Sequence, residues 1–356
     1  MTRFLRLSRI LSFVLLITGA PSFAQAQEPF GAGWTLDAES SRIGFQSIKN
    51  QTKVEQSSFA TLSGAIDPNG SAEIRIALDS VDTKVDLRNV RMRFLFFESF
   101  KYPEAIVKAR LSPRLIEELR AEQRKIVTLP VTLDLHGITQ SLEAVLAVTL
   151  LDEARVSVAT YEPIGIDLAA FDLLGGLQKL EEAAGVTIVP TTSVNFDIVF
   201  NSNSNSNDSG AAPAPAAREG VASAALEPEG DFSKDACIGR FEILSRTGNI
   251  YFNTASARLS SDSEPLLKNV VDIVRRCPEL TVQVIGHTDS EGTLEANQAL
   301  SERRAASVVA YLAKNGVSKS QVQSSGAGET QPVAPNTTAQ GRKQNRRIEF
   351  APVAAQ

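Results

Sequence analysis

Residues 201–235 cannot belong to a hydrophobic core. They read AsnSerAsnSerAsnSerAsnAspSerGly and then run through AlaAlaProAlaProAlaAla. Such a stretch is polar, then Pro/Ala-rich, with too little apolar bulk to offset the entropy of ordering it. A chain of 356 residues is also longer than one typical domain. Two bodies joined by a linker are therefore expected. Taken as flexible, ~35 residues have an r.m.s. reach of roughly 30–35 Å, enough for one body to sample the space around the other.

Composition narrows the class. The net charge is -5 and no basic block stands out, since ArgLysGlnAsnArgArg (Arg342 to Arg347) is short and mixed. Nucleic acid is therefore not an expected partner. Residues 1–26 read as a secretory signal: Arg3, Arg6 and Arg9 precede an apolar run from Ile10 to Ile17 and a small-residue site, AlaGlnAla (Ala24 to Ala26). The run is too short to cross a bilayer. No cysteine lies near the cleavage site, so lipid attachment there is not expected, and the mature protein is assigned to the periplasm. Cys237 and Cys277 are the two cysteines. In an oxidising compartment the pair reads as a disulfide, joining the segment that enters the second domain to the end of its first helix. With no nearby histidine and no CxxC spacing, neither a metal site nor redox catalysis is expected.

From Trp34 to Phe200 short alternating runs recur, as in Glu73 to Leu78, Val131 to Leu135 and Val194 to Phe200. Separated by turn residues, they predict an antiparallel sandwich or barrel. Pro113 to Gln123 and Leu177 to Ala184 have helical spacing instead. A membrane-spanning barrel competes, but girdle aromatics are scarce, with Trp34 the single tryptophan, and the two helices interrupt the strand series. A soluble barrel is favoured.

The segments Gly33 to Phe45, Ser63 to Asp67, Ser80 to Thr83, Phe96 to Ala105 and LeuAspLeuHisGlyIleThrGlnSerLeu (Leu133 to Leu142) resemble the YceI-like family. The resemblance implies a lipocalin-like antiparallel β-barrel whose apolar interior holds an isoprenoid-type lipid; about eight strands leave room for one small ligand. Tyr161 to Leu174 and the helical Leu177 to Ala184 depart from the family pattern. His136, followed by Gly137, is read as fixing a turn by hydrogen bonding, and the phenylalanines of Phe96 to Phe100 as either core or pocket.

In the second half, Thr281 to Ile285 reads as a strand, Gly286 breaks it, and Asp289, Ser290 and Gly292 supply turn chemistry. A helix follows over Leu294 to Asn315, closed by Lys314 and Gly316. Asn297 and Arg304 are seven apart and share a face with Leu300 and Val308. Two readings of this polar pair in an apolar stripe stay open. Arg304 pairs internally with Asp289, or the two face a ligand together. A carboxylate beside a guanidinium suits a zwitterionic amino acid, Asp289 taking the ammonium and Arg304 forking onto the carboxylate.

Thr288-Asp289, Gly292, Asn297, Leu300 to Ala305, Tyr251 to Ala257, Gly326 to Glu329 and Gly341 to Phe350 together closely resemble the OmpA-like peptidoglycan-binding domain. The resemblance implies an α/β sandwich of βαβαβ type. It implies that Asp289 and Arg304 hold the diaminopimelate of the peptide stem, with Asn297, Arg346 and the Thr288 segment supporting the pocket. Asn253 sits where many members carry Asp. No catalytic residue is identified: the two histidines, His136 and His287, fall in separate domains, and Asp289/Arg304 lacks a second carboxylate at glycosidase spacing.

The expected organisation is a signal at 1–26, a barrel at 27–200, a linker at 201–235 and a wall-binding domain at 236–356. The function expected is non-enzymatic: noncovalent attachment to diaminopimelate-type peptidoglycan, with a barrel carrying a lipid or isoprenoid-like ligand. The alternatives are an adaptor whose barrel docks another envelope protein, and an outer-membrane barrel with a periplasmic wall anchor.

Overall fold

The structure, a computed structural model, describes residues 30–203, 230–248, 250–253 and 256–354. The signal at 1–26 and linker residues 204–229 lie outside the described residues. The N-terminal strands are β1 (Trp34–Lys49), β2 (Lys53–Phe59), β3 (Leu62–Ile66), β4 (Ser71–Ala77), β5 (Val81–Asp82), β6 (Glu104–Arg110), β7 (Arg124–Leu135), β8 (Ile138–Asp152), β9 (Arg155–Thr160), β10 (Ile164–Asp167) and β11 (Thr191–Ser202). Eight of them, in the order β1-β3-β4-β6-β7-β8-β9-β11, close into an antiparallel ring when β11 returns to β1 with Trp34 opposite Ser202. The far half of β1 keeps β11 on one side and exchanges β3 for β2 on the other.

Alternation decides what each wall shows. On β4 and β6, Ile74, Ile76, Ala105 and Val107 face the interior cavity. Their neighbours Glu73, Arg75, Glu104 and Lys108 form ion pairs on the outer face. A membrane barrel needs an apolar band there, so this wall does not fit the outer-membrane alternative. No helix of the described residues is long and apolar enough to cross a membrane.

Both barrel ends carry helices. α2 (Pro113–Glu122) starts where the Ser112 hydroxyl accepts from the Arg114 amide, with Pro113 in its first turn. Its Leu115 and Leu119 pack near Phe30 and Trp34 at the start of β1. At the other end of β1, α1 (Asp86–Arg91) runs into a π-helical turn, Met92–Phe96. That turn packs against α3 (Leu174–Ala184), where Gly176 permits the close approach: a Cβ there would lie 2.8 Å from the Phe96 carbonyl. The expected role of the His136 side chain in the β7–β8 turn is corrected. Positive φ at His136 (56°) and Gly137 (76°) makes the turn; among the described residues neither ring nitrogen has a hydrogen-bond partner, the Glu98 carboxylate lying 4.0 Å from Nε2. Burial pushes the His136 pKa down.

The C-terminal region contains α4 (Lys234–Thr247), α5 (Glu264–Arg275), β12 (Leu280–His287), α6 (Leu294–Lys314), β13 (Val322–Gly328), α7 (Ala339–Asn345) and β14 (Ile348–Ala354). Its sheet runs β13-β12-β14, with β12 parallel to β13 across α6 and antiparallel to β14. The first strand of the expected βαβαβ pattern is reduced, among the described residues, to a single bridge, Phe252 to Leu259. Cys237 and Cys277 are disulfide-bonded. The staple differs in detail from expectation: Cys237 lies inside α4, the first helix of this region, and Cys277 just past α5, the second.

Independent movement of the two bodies is not what the structure shows. Helix α4 docks on α1 and the π-helical turn. The fully buried Arg240 donates from both terminal nitrogens to Asp86, at 2.8 and 3.0 Å. Gly239 leaves room for Leu87, whose Cδ1 would lie 2.6 Å from any Cβ added there. Lys179 on α3 donates to the Thr247 carbonyl at 3.2 Å. Phe232 lies between Arg240 and Arg276, each 3.8 Å from its ring. One continuous apolar cluster runs from Phe30 to Phe350.

Candidate functional site

The strand–turn–helix unit β12–α6 positions the charged groups singled out in the sequence. The Thr293 hydroxyl caps α6 by accepting from the Ala296 amide. Gly286 lets the helix lie directly on the strand, since a Cβ there would fall 2.2 Å from the Ser301 carbonyl oxygen. Asp289 follows β12 and is buried. Its Oδ1 accepts from the Glu291 amide at 3.1 Å, and its Oδ2 accepts from Arg346 Nη1 just past α7. One turn earlier on α7, Arg342 pairs with Glu291 at 3.0 Å. The loop is thus clasped by two arginines on one helical face.

The internal Asp289–Arg304 pair does not form. Arg304 donates from Nε to the Ser256 carbonyl at 3.1 Å and stacks over Phe252, 5.0 Å from the ring centroid. Its two terminal nitrogens have no hydrogen-bond partner among the described residues. Burial, and then the like charge of Arg346, lower its pKa, while Asp289 acts in the opposite sense. A half-buried guanidinium in that field gains from an added anion.

Asn297 is already committed. Its amide donates to the Asp289 carbonyl at 3.2 Å and to the Glu329 carboxylate, so it shapes the loop. Thr288 donates its amide to the Gly328 carbonyl at 2.8 Å, and its buried hydroxyl has no hydrogen-bond partner among the described residues. Asn253 is exposed in the loop that also carries Phe252 and Ser256, its amide donating to the Arg258 carbonyl. Phe252, Ser256, Glu329 and Arg342 lie within the motif segments that carry the OmpA resemblance, but the sequence assigned none of them a role. Ser256 acts through its backbone carbonyl, and Glu329 and Arg342 act through contacts distant in sequence.

Beside this site, Glu349 on β14 is held down to about 2 by His287, whose Nε2 lies 3.5 Å away, and by Arg347, which donates at 2.7 Å; burial opposes both. A carboxyl depressed from 4.5 contributes stability that is fully present above about 4.5 and is lost as pH falls towards 2. Urea unfolding of wild type and Glu349→Gln should therefore show a stability difference that shrinks across that window. A constant difference would remove the carboxylate from the account.

The barrel encloses a cavity of about 490 Å³, within the range of small-molecule sites. Its wall is apolar over most of its length. Phe97 of the FFESF cluster meets Phe45 at 6.5 Å and Phe59 at 5.8 Å inside it, so this cluster serves as core and pocket together. Leu177 and Leu180, in the segment that departs from the family pattern, also line it. Along the paired β1 and β2 the inward residues change from Ile43 and Phe59, through Phe45 and Ser57, then Ser47 and Glu55, to Lys49, whose partner Lys53 lies outside the lining. The cavity therefore has an apolar interior and a polar end under α1.

Comparison with known proteins agrees with both halves. The model of the YceI-like domain matches residues 34–200, and that of the OmpA family matches residues 251–346. A polyisoprenoid binding domain from Saccharophagus degradans is 32% identical, with 48% of this chain and 98% of that chain covered and a TM-score of 0.46. The probable lipoprotein YiaD of Escherichia coli K12 is 39% identical over 108 residues, 30% of this chain and 49% of that protein. The peptidoglycan-binding protein ArfA of Mycobacterium tuberculosis H37Rv is 36% identical over 103 residues, 29% of this chain and 32% of that protein. The chain thus spans half or less of the length of these two curated relatives. By its folds and its motifs, the chain joins a YceI-like domain to a domain of the OmpA family.

Proposed function

We propose that this protein attaches noncovalently to peptidoglycan through its C-terminal domain and carries a long apolar, isoprenoid-like molecule in its barrel, within the periplasm. The observation that carries the first half is Arg304. Its guanidinium is half-buried and donates through Nε to the Ser256 carbonyl, its two terminal nitrogens have no hydrogen-bond partner among the described residues, and Asp289 is near enough to act on its charge. The α-carboxylate of diaminopimelate matches that fork, and its ammonium matches Asp289, whose present partner Arg346 is itself half-exposed and displaceable. Asn297 and Glu329 hold the loop in shape. The 490 Å³ apolar cavity supports the second half, as does the ligand class named for the Saccharophagus domain. The reading requires no bond to be broken.

Cosedimentation with purified sacculi tests it. Wild type should pellet, and Asp289→Ala and Arg304→Ala should each lose about tenfold or more in affinity while keeping the wild-type circular dichroism spectrum. Equal pelleting of all three would remove the pair from binding. Release of soluble muropeptides by wild type would replace tethering with catalysis.

A further inference from the structure

The polar end of the cavity carries a charge imbalance that an apolar chain alone does not use. Four ionisable side chains line the cavity: Lys49, Glu55, Arg88 and Arg91. Three cations against one carboxylate leave an excess of two positive charges. Glu55 is shared, at 2.8 Å from Arg88 and 3.7 Å from Lys49, with Lys53 at 3.2 Å from outside the lining set. Burial raises the Glu55 pKa, but Lys53, Arg88 and Lys49 outweigh it, so this single carboxylate is ionised and fully engaged.

Arg91 is left over. It sits one turn after Arg88 on α1, on the same face. It makes no ion pair among the described residues, and its Nε is buried without a hydrogen-bond partner. A buried, unpartnered guanidinium nitrogen costs free energy unless something supplies an acceptor. The carboxylate that could have done so is taken by its neighbours.

We propose that Arg91, with Arg88 and Lys49, is a headgroup site: the cavity takes an amphiphile of one long apolar chain whose anionic head, phosphate or carboxylate, lies under α1. The proposal rests on the reading that the barrel holds an apolar chain, and adds the chemistry of that molecule's polar end. Polarity along β1 and β2 orients the chain, tail towards Ile43 and Phe59 and head towards Lys49. The head accepts from Arg91 and competes with Glu55 for Arg88.

The test uses the full mature chain and three probes with one tail: hexadecanol, palmitate and hexadecyl phosphate, below their aggregation concentrations, by equilibrium dialysis. Wild type should bind at least one anionic probe about tenfold or more tighter than hexadecanol. Whether palmitate or hexadecyl phosphate gains more identifies the head. Arg91→Met should abolish that preference by lowering affinity for the anionic probes far more than for hexadecanol, and Glu55→Gln should enlarge it. Glu55→Gln keeps the test valid should Arg91→Met prove misfolded by circular dichroism. Equal binding of all three probes by wild type, or a preference untouched by Arg91→Met, overturns the headgroup site while the apolar-chain reading stands. Failure of every probe to bind overturns both.

Discussion

Asp86→Ala is expected to destabilise the full chain by about 2–3 kcal/mol, because Asp86, at the start of α1, pairs across the domain boundary with Arg240. Removing one partner of a buried ion pair typically costs about 3–5 kcal/mol, because the surviving charge stays desolvated. The value is discounted here because the Asp86 side chain is 40% exposed, whereas that of Arg240 is fully buried. Urea unfolding gives the magnitude. Small-angle scattering gives the second consequence, since the pair fastens α4 to α1 and its loss should raise the radius of gyration as the domains part. Asp86→Ala combined with Arg240→Met should recover much of the stability, because the buried charge is removed together with its carboxylate. If Asp86→Ala unfolds within about 0.5 kcal/mol of wild type, an ordinary surface effect, the ion pair does not hold the domains together.

Gly286→Ala should be at least as damaging, at about 3 kcal/mol or more. Overpacking a well-filled core costs roughly 1–3 kcal/mol when side chains can shift, but here both sides of the clash are backbone. The added Cβ would lie 2.2 Å from the Ser301 carbonyl, and the strand is fixed between β13 and β14. Helix α6 must therefore move as a body. Arg304 follows Ser301 by three residues, so sacculus binding should fall with melting temperature. Retention of both would show that the helix can lift at little cost.

The alternating strands and the α6 helix were legible because period-2 and period-3.6 patterns report burial directly. The residues of the charged site were legible from a resemblance carried by many ordered motifs. Their connections were not. Whether Asp289 meets Arg304 or Arg346 depends on where α7 returns, 57 residues further on, and no local pattern encodes that. The shared Glu55 was hidden for a related reason, because its partners come from β1, β2 and α1. Composition marked residues 201–235 as unable to form a core, yet both ends of that stretch belong to ordered elements: β11 runs to Ser202, α4 starts at Lys234, and Phe232 packs against the core. Composition could not reveal that α4 packs back on the barrel.

The closure of the barrel by β1 and β11 has a kinetic consequence. Trp34 pairs with Ser202, so the ring joins the first strand of the domain to its last. The hairpins β3–β4 and β7–β8 are local and can form early, but the closing ladder waits for nearly the whole domain to be synthesised. Non-local pairings of this kind place a fold among the slow, millisecond-to-second class. Until they form, both β1 and β11 present unpaired edges. In a chain delivered N-terminus first, that interval falls while the OmpA-family domain is still arriving behind the barrel.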